Sequence, residues 1–90
     1  MKLPIKESVL KKALEQWGDR AQEGMAIEEC SEFIDSMMKR YRGRVDDKAV
    51  AEEVADVLIV MSQMRLVFGA GLVDSFIIKK MARLEGLLGG

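Results

Sequence analysis

Histidine is absent from this sequence of 90 residues, and cysteine and proline each occur only once. The lack of histidine excludes imidazole as a catalytic base or metal ligand, and a single cysteine excludes a disulfide framework. The chain also lacks an excess of charge, since 14 basic residues stand against 15 acidic ones. Because domains that bind nucleic acid usually carry a clear basic excess, we expect no nucleic-acid partner.

Long uncharged stretches are missing as well, and none approaches the roughly 20 apolar residues of a membrane span. The opening residues 1–4 lack the apolar core of a signal peptide. Hydrophobic residues nevertheless make up 49% of the chain, which is enough for a packed core. We therefore expect one soluble, cytoplasmic domain over residues 1–90, with no membrane partner.

Apolar residues recur at helical spacing along the chain, and no segment alternates as a strand does. Breaks are expected at Gly18, in the loop 41–45 and at the glycines of 69–71. The four predicted helices span residues 5–17, 19–40, 46–68 and 72–88. We expect Asp19 to cap the second helix, and Asp46 or Asp47 to cap the third. Short connections favour antiparallel neighbours, so the predicted fold is all-α, a four-helix antiparallel arrangement in an oligomeric helical bundle.

The third predicted helix is apolar on every side between Val54 and Met61. Such a helix is buried on more than one side, which in so short a chain implies a partner subunit. The stripe expected to pack within the subunit is Val50, Val54, Val57, Leu58 and Met61. A second patch, formed by Ala49, Val60 and Val67, is expected to face the partner. We therefore predict a homodimer or a dimer of dimers.

Four acidic side chains form two pairs at helical spacing, Glu29 with Glu32 and Glu53 with Asp56. Both pairs fall on the same flank of their helices, about 100° to 160° from the apolar stripe, at roughly 10–13 Å from the connecting loop. Four carboxylates this close cannot all stay ionised without a cation. Ligation by oxygen alone suits Mg²⁺ or Mn²⁺, and Mg²⁺ held in this way commonly carries substrate phosphates.

Two plainer interpretations of these acids remain open. In the first interpretation, Asp56 pairs with a nearby arginine or caps a neighbouring helix. Exposed glutamates three residues apart are also common on solvated helix faces, so the spacing alone is weak evidence.

The sequence Glu28-Glu29-x-x-Glu32, followed on the next helix by Glu53-x-x-Asp56, resembles the MazG-like all-α nucleoside triphosphate pyrophosphohydrolases. The likeness covers most of the chain, residues 14–84. It implies dimers or dimers of dimers, and Mg²⁺-dependent cleavage of a nucleotide to its monophosphate and pyrophosphate. It also implies that Glu29, Glu32, Glu53 and Asp56 are the metal ligands. Glu28 belongs to the motif as a further ligand, a base for the attacking water, or a structural residue.

The resemblance extends less well to the last helix, where family members often carry a lysine, then an asparagine and a basic residue that face the phosphates. Here Lys79, Lys80 and Arg83 supply the basic residues, but Leu84 stands where the asparagine is expected. As phosphate ligands they would offset charge on the substrate. The alternative is a solvated helix end favoured by the helix dipole.

Two residues near the first break, Trp17 and Gln16, are candidates for contact with the base of the substrate. Trp17 either stacks on the base or packs in the core. Gln16 and Gln22 are hydrogen-bonding candidates on the resemblance alone. A further basic cluster at residues 39–44 is more typical of a solvated loop than of a phosphate site.

Together these patterns predict a Mg²⁺-dependent enzyme that hydrolyses an NTP or dNTP to the monophosphate and pyrophosphate. The alternative is a non-catalytic helical regulatory module, a degenerate relative of such enzymes. An empty carboxylate cluster, or a metal with no room for phosphate beside it, would favour the alternative.

Overall fold

Four α-helices make up nearly all of residues 2–89, which a computed structural model of the chain describes. They are α1 (Glu7–Trp17), α2 (Asp19–Tyr41), α3 (Asp47–Phe68) and α4 (Ala70–Leu87). No strand occurs within residues 2–89. The all-α class and the number of helices are therefore confirmed.

The helix ends follow local signals in the sequence. Gly18 alone separates α1 from α2 and has a φ of 87°, a conformation that costs glycine little. The side chain of Asp46 caps α3 by accepting a hydrogen bond of 3.0 Å from the backbone N–H of Ala49. Asp19 is the first residue of α2 rather than its cap, because Gly18 occupies the cap position.

Helices α2 and α3 form a hairpin that contains most of the contacts between helices. Near the connecting loop, Arg40 Nε donates a hydrogen bond of 2.8 Å to Asp47. Far from that loop, Ala26 of α2 packs against Val60 and Met64 of α3. Since the helices touch at both places, they lie side by side along their length.

Helix α1 lies against the hairpin and contacts both of its helices. Its buried residue is Leu10, whose backbone carbonyl accepts a hydrogen bond of 3.2 Å from Gln63 Nε2 of α3. The Gln63 side chain is only 3% exposed. Because a buried amide is costly unless it is hydrogen-bonded, this contact fixes the position of α1 on α3.

Helix α4 leaves the hairpin after Gly69, and the chain bends by 117° between α3 and α4. Among the described helices it contacts α3 alone, and none of its residues is buried. The bend is held by Arg65, which donates two hydrogen bonds of 2.7 and 2.6 Å to the carboxylate of Asp74. Within one chain, α4 does not fold back along the hairpin.

Neither α3 nor α4, nor any other single helix in residues 2–89, is long and apolar enough to cross a membrane. The two helices reach that length and composition only when they are taken together across their bend.

The two apolar faces of α3 are placed differently from the sequence-based expectation. Val60 is 6% exposed and belongs to the core with Ala26 and Met64, and Val67 packs against that core. In contrast, Val54 and Met61 are 39% and 41% exposed. The assignment of Val60 and Val67 to a partner subunit is therefore wrong. On a helix that is apolar all round, composition does not determine which side a neighbouring helix covers.

Candidate metal centre

Three carboxylates from two helices come together in the α2–α3 hairpin. Glu29, Glu53 and Asp56 each offer an oxygen, and these atoms all lie within 4.8 Å of one another. Glu29 follows Ala26 by three residues and Asp56 precedes Val60 by four, so both continue the sides along which the helices pack. The three side chains are consequently half-buried between the helices.

Two of these carboxylates contain a buried oxygen without a hydrogen-bond partner, Oε2 of Glu29 and Oε2 of Glu53. An unsatisfied buried polar atom costs free energy that solvent would otherwise offset. The ion pairs found within residues 2–89 involve none of the three acids. One plainer interpretation required Asp56 to pair with an arginine. Within residues 2–89 it does not.

The pKa values of Glu29 and Glu53 are both raised above the ordinary value of 4.5. Desolvation is the largest cause for both residues, followed by the negative charges of Glu32 and then of Asp56. Every charge that acts on these two pKa values is a carboxylate. The centre thus has a negative potential that no neighbouring lysine or arginine neutralises within the described residues, and a cation would relieve it.

Glu32 and Glu28 lie beside this centre rather than in it. Both side chains are exposed on α2, and neither belongs to the group of three ligand atoms. The negative charge of Glu32 nevertheless raises the pKa of both Glu29 and Glu53. Glu28 raises the pKa of Glu29 but not that of Glu53. Of the four carboxylates expected to converge, the structure brings three together and places Glu32 close by.

The basic candidates of α4 do not reach the acids of their own chain. Lys79, Lys80 and Arg83 are exposed, and α4 contacts neither α1 nor α2. None of the three contributes to the raised pKa values of Glu29 and Glu53. Within a single chain they therefore lie away from the acidic centre.

The candidates for contact with a base lie near the junction of α1 and α2. Trp17 is 60% exposed, so it does not pack in the core of its own chain, and Gln16 is also exposed. Gln22 is 8% exposed and lies inside the fold. It is therefore not available to a nucleotide base, contrary to one of the candidate roles.

The sequence pattern did not point to Gln63, the most deeply buried polar residue found in the described chain. It follows Asp56 by seven residues, or about two helical turns, and therefore lies on the same side of α3. The sequence feature that could have indicated Gln63 is its place as a polar residue on the same side of α3 as Asp56. Its role is to hold α1 rather than to join the acidic centre.

No protein-family model matches this chain, and no curated protein or solved structure is significantly similar to it. The resemblance to MazG-like enzymes therefore rests on the chain's own residues.

Proposed function

We propose that this chain is a nucleoside triphosphate pyrophosphohydrolase that depends on Mg²⁺, with Mn²⁺ as a second suitable ion. The observation that carries the proposal is the half-buried group of Glu29, Glu53 and Asp56, with two unpartnered oxygens and no basic neighbour among residues 2–89. A donor set of oxygens alone suits these hard cations rather than zinc. The donor set supports the ion, and the resemblance to MazG-like enzymes supports the reaction.

The residues of the centre divide the proposed work between them. Glu29, Glu53 and Asp56 hold the ion, and Glu32 adds negative charge and a further donor at the edge. When bound, Mg²⁺ withdraws charge from phosphate oxygens and lowers the pKa of water. Water then attacks the α-phosphorus of an NTP or dNTP, and the bond to the bridging oxygen breaks so that pyrophosphate leaves. Glu28, exposed beside the centre, is the candidate base for this water, with ligand and structural roles as alternatives.

We further propose that the enzyme is a homodimer or a dimer of dimers in the cytoplasm, in which helices of several subunits complete an antiparallel bundle. In this assembly Lys79, Lys80 and Arg83 reach the phosphates from a second subunit, because they are remote from the acids of their own chain. Trp17 and Gln16 remain the candidates for contact with the base, and the exposure of both supports this role.

A second candidate function is a non-catalytic helical regulatory module. The length of apolar helix that α4 exposes favours it, since such surfaces typically bind other proteins. In this case the acidic centre would stay empty or would bind an ion without turnover.

The experiment that separates the two functions is incubation with a panel of NTPs and dNTPs in the presence of Mg²⁺ or Mn²⁺, with the products identified by ion-exchange chromatography. We expect monophosphate and pyrophosphate in equal amounts from the wild-type chain, and none from Asp56→Asn. Glu52→Gln is the matched control, because Glu52 is an exposed neighbour of Glu53. Ion binding without any product, or no ion binding at all, would contradict the hydrolase and support the regulatory module.

A further inference from the structure

The isolated chain exposes far more surface than a compact protein of its size. Its accessible surface is 7305 Å², whereas a compact monomer of 10.1 kDa exposes roughly 5,300 Å². Its radius of gyration is 15.4 Å, against about 12 Å for a compact chain of this length. The excess, roughly 2,000 Å², is well above the roughly 800 Å² that each partner buries in a standard interface. A single chain thus exposes more than enough extra surface for a stable dimer to cover.

Helix α4 contributes a large part of this open surface. Every residue from Ser75 to Gly89 is exposed. The large apolar side chains along one side of this stretch are Ile77, Met81, Leu84 and Leu88. They recur three and four residues apart, so they form a continuous stripe that is unfavourable in water. We call the segment 75–89 the arm.

A second uncovered apolar surface is a groove of ≈ 380 Å³ between the N-terminal segment, α1 and α3. The groove is lined mainly by apolar residues, among them Leu3, Ile5, Val9, Ala55, Leu58 and Ile59. Both the arm and the groove are apolar and uncovered, and a helix has a convex surface that can fill a groove.

The arm does not fill the groove of its own chain. It makes no contact with α1, and the bend at Gly69 together with the Arg65–Asp74 pair directs it away from the hairpin. A second copy supplies an arm and a groove in equal number. Closed two-fold symmetry then gives two identical contacts in one dimer and leaves neither surface open.

We propose that the arm of one copy docks into the groove of a second copy, and that the second arm docks reciprocally into the first groove. This contact specifies the assembly included in the proposed function, but it does not depend on the proposed hydrolysis. Its test measures molecular mass and cross-linking, so its failure is distinguishable from a failure of the metal centre.

The first experiment places a charge on either side of the contact. Ile59→Asp alters the groove and Ile77→Asp alters the arm, at positions that are 45% and 51% exposed in the isolated chain. Each change is expected to weaken association at least about 30-fold, the scale of an interface hot spot, in light scattering at micromolar concentration. The matched control is Ile27→Asp on α2, where the side chain is 71% exposed and lies outside both surfaces. It should associate as the wild type does.

Mixing the two variants is the decisive step. Ile59→Asp keeps an intact arm and Ile77→Asp keeps an intact groove, so an equimolar mixture retains one unimpaired contact and should form heterodimers. Far-ultraviolet circular dichroism checks that each variant is folded. A wild-type monomer, or a mixture that stays monomeric while both variants are folded, would overturn the proposal. So would normal pairing of Ile59→Asp, which would indicate contact between two arms instead.

A cross-linking measurement avoids the added charges. In a Cys30→Ser background, chains with Ile59→Cys and chains with Ile77→Cys are mixed and oxidised. The proposal expects a disulfide-linked heterodimer from this pair and none from Ile59→Cys with Ile27→Cys. Equal cross-linking in both mixtures would contradict it.

Discussion

Glu29 on α2 and Glu53 on α3 approach each other across the hairpin, and each keeps one buried carboxylate oxygen without a hydrogen-bond partner. The same chain satisfies another carboxylate fully, since Asp74 accepts two hydrogen bonds from Arg65. Unsatisfied acids in the middle of a small fold are costly, and a bound cation offsets that cost. This contrast is the physical basis of the predictions for the centre.

The first prediction concerns the effect of a divalent ion on stability. Because the ion binds the folded chain and relieves repulsion among the acids, saturating Mg²⁺ or Mn²⁺ should raise the melting temperature. At an ion concentration 100 times the Kd the gain is about 2.7 kcal/mol, and each kcal/mol corresponds to about 4–8 °C for a domain of this size. Differential scanning fluorimetry should show this shift for Glu52→Gln and not for Asp56→Asn. An equal shift in both variants would exclude Asp56 as a ligand.

The second prediction concerns pH in the absence of divalent ions. The pKa values of Glu29 and Glu53 are raised above 4.5 by desolvation and by neighbouring carboxylates, so the folded chain binds protons more tightly than the unfolded one. Their contribution to the free energy of unfolding is complete below the unfolded pKa and is lost as pH rises through the raised values. Urea unfolding across this range should show that loss, and Glu29→Gln should reduce it. A pH dependence that is identical in both proteins would refute the assignment.

The same titration acts oppositely when Mg²⁺ is present. Protons compete with the ion for the carboxylates, so ion affinity should fall on acidification. Calorimetric titrations at a series of pH values measure this directly. If the affinity for the ion did not change over the pH range in which these carboxylates become protonated, the ion would bind elsewhere.

The third prediction tests the small core between α2 and α3. Met64 is 9% exposed and packs with Ala26 and Val60, whereas Met61, three residues earlier, is 41% exposed. Met64→Ala should lower the free energy of unfolding by about 2 kcal/mol, the lower end of the range for buried methionine. In a monomer, Met61→Ala should lower the free energy of unfolding by less than half as much as Met64→Ala. Similar losses for both would mean that an assembly buries Met61.

The fourth prediction concerns the ion pair at the α3–α4 bend. Arg65 and Asp74 are partly exposed, so solvent screening keeps their coupling small despite two short hydrogen bonds. A double-mutant cycle with Arg65→Gln and Asp74→Asn measures this coupling. The pair also lowers the pKa of Asp74, chiefly through the hydrogen bond from Arg65, so its contribution is lost as pH falls through that lowered value. No coupling at neutral pH would show that the pair does not hold the bend.

The fifth prediction concerns Lys79, Lys80 and Arg83. Because they are remote from the acids of their own chain, alanine at all three positions should leave the Mg²⁺-induced shift in melting temperature unchanged. It should lower turnover or raise KM, since loss of one well-placed stabilising donor costs about 2.7–4 kcal/mol in other enzymes. Steady-state kinetics of pyrophosphate release provide the measurement. Unchanged kinetics would show that these three residues do not contact the phosphates of the substrate.

Helical spacing predicted each helix boundary to within two residues, because Gly18, Asp46 and Gly69 are strong local signals. The approach of Glu29 to Glu53 and Asp56 was also predictable, since a hairpin with a short loop fixes both side and height. Gly24 lies inside α2 despite the low helix propensity of glycine, and the packing of α2 against α3 outweighs that propensity.

What the sequence could not supply was the choice among equally apolar sides. Val60 and Met61 are adjacent and both apolar, yet one is buried and the other is 41% exposed. Their difference depends on where α2 and α1 lie, which is a tertiary property. The 117° bend before α4 likewise depends on Gly69 and on the pair that Arg65 and Asp74 form across it.

That bend makes α4 a mechanical lever. The helix has 18 residues, so at about 1.5 Å per residue its tip lies roughly 27 Å from the corner. A rotation of about 10° at the corner therefore moves the tip by roughly 5 Å, close to the rise of one helical turn. The Arg65–Asp74 pair acts at the short end of this lever, where a small adjustment sets the reach of every side chain beyond it.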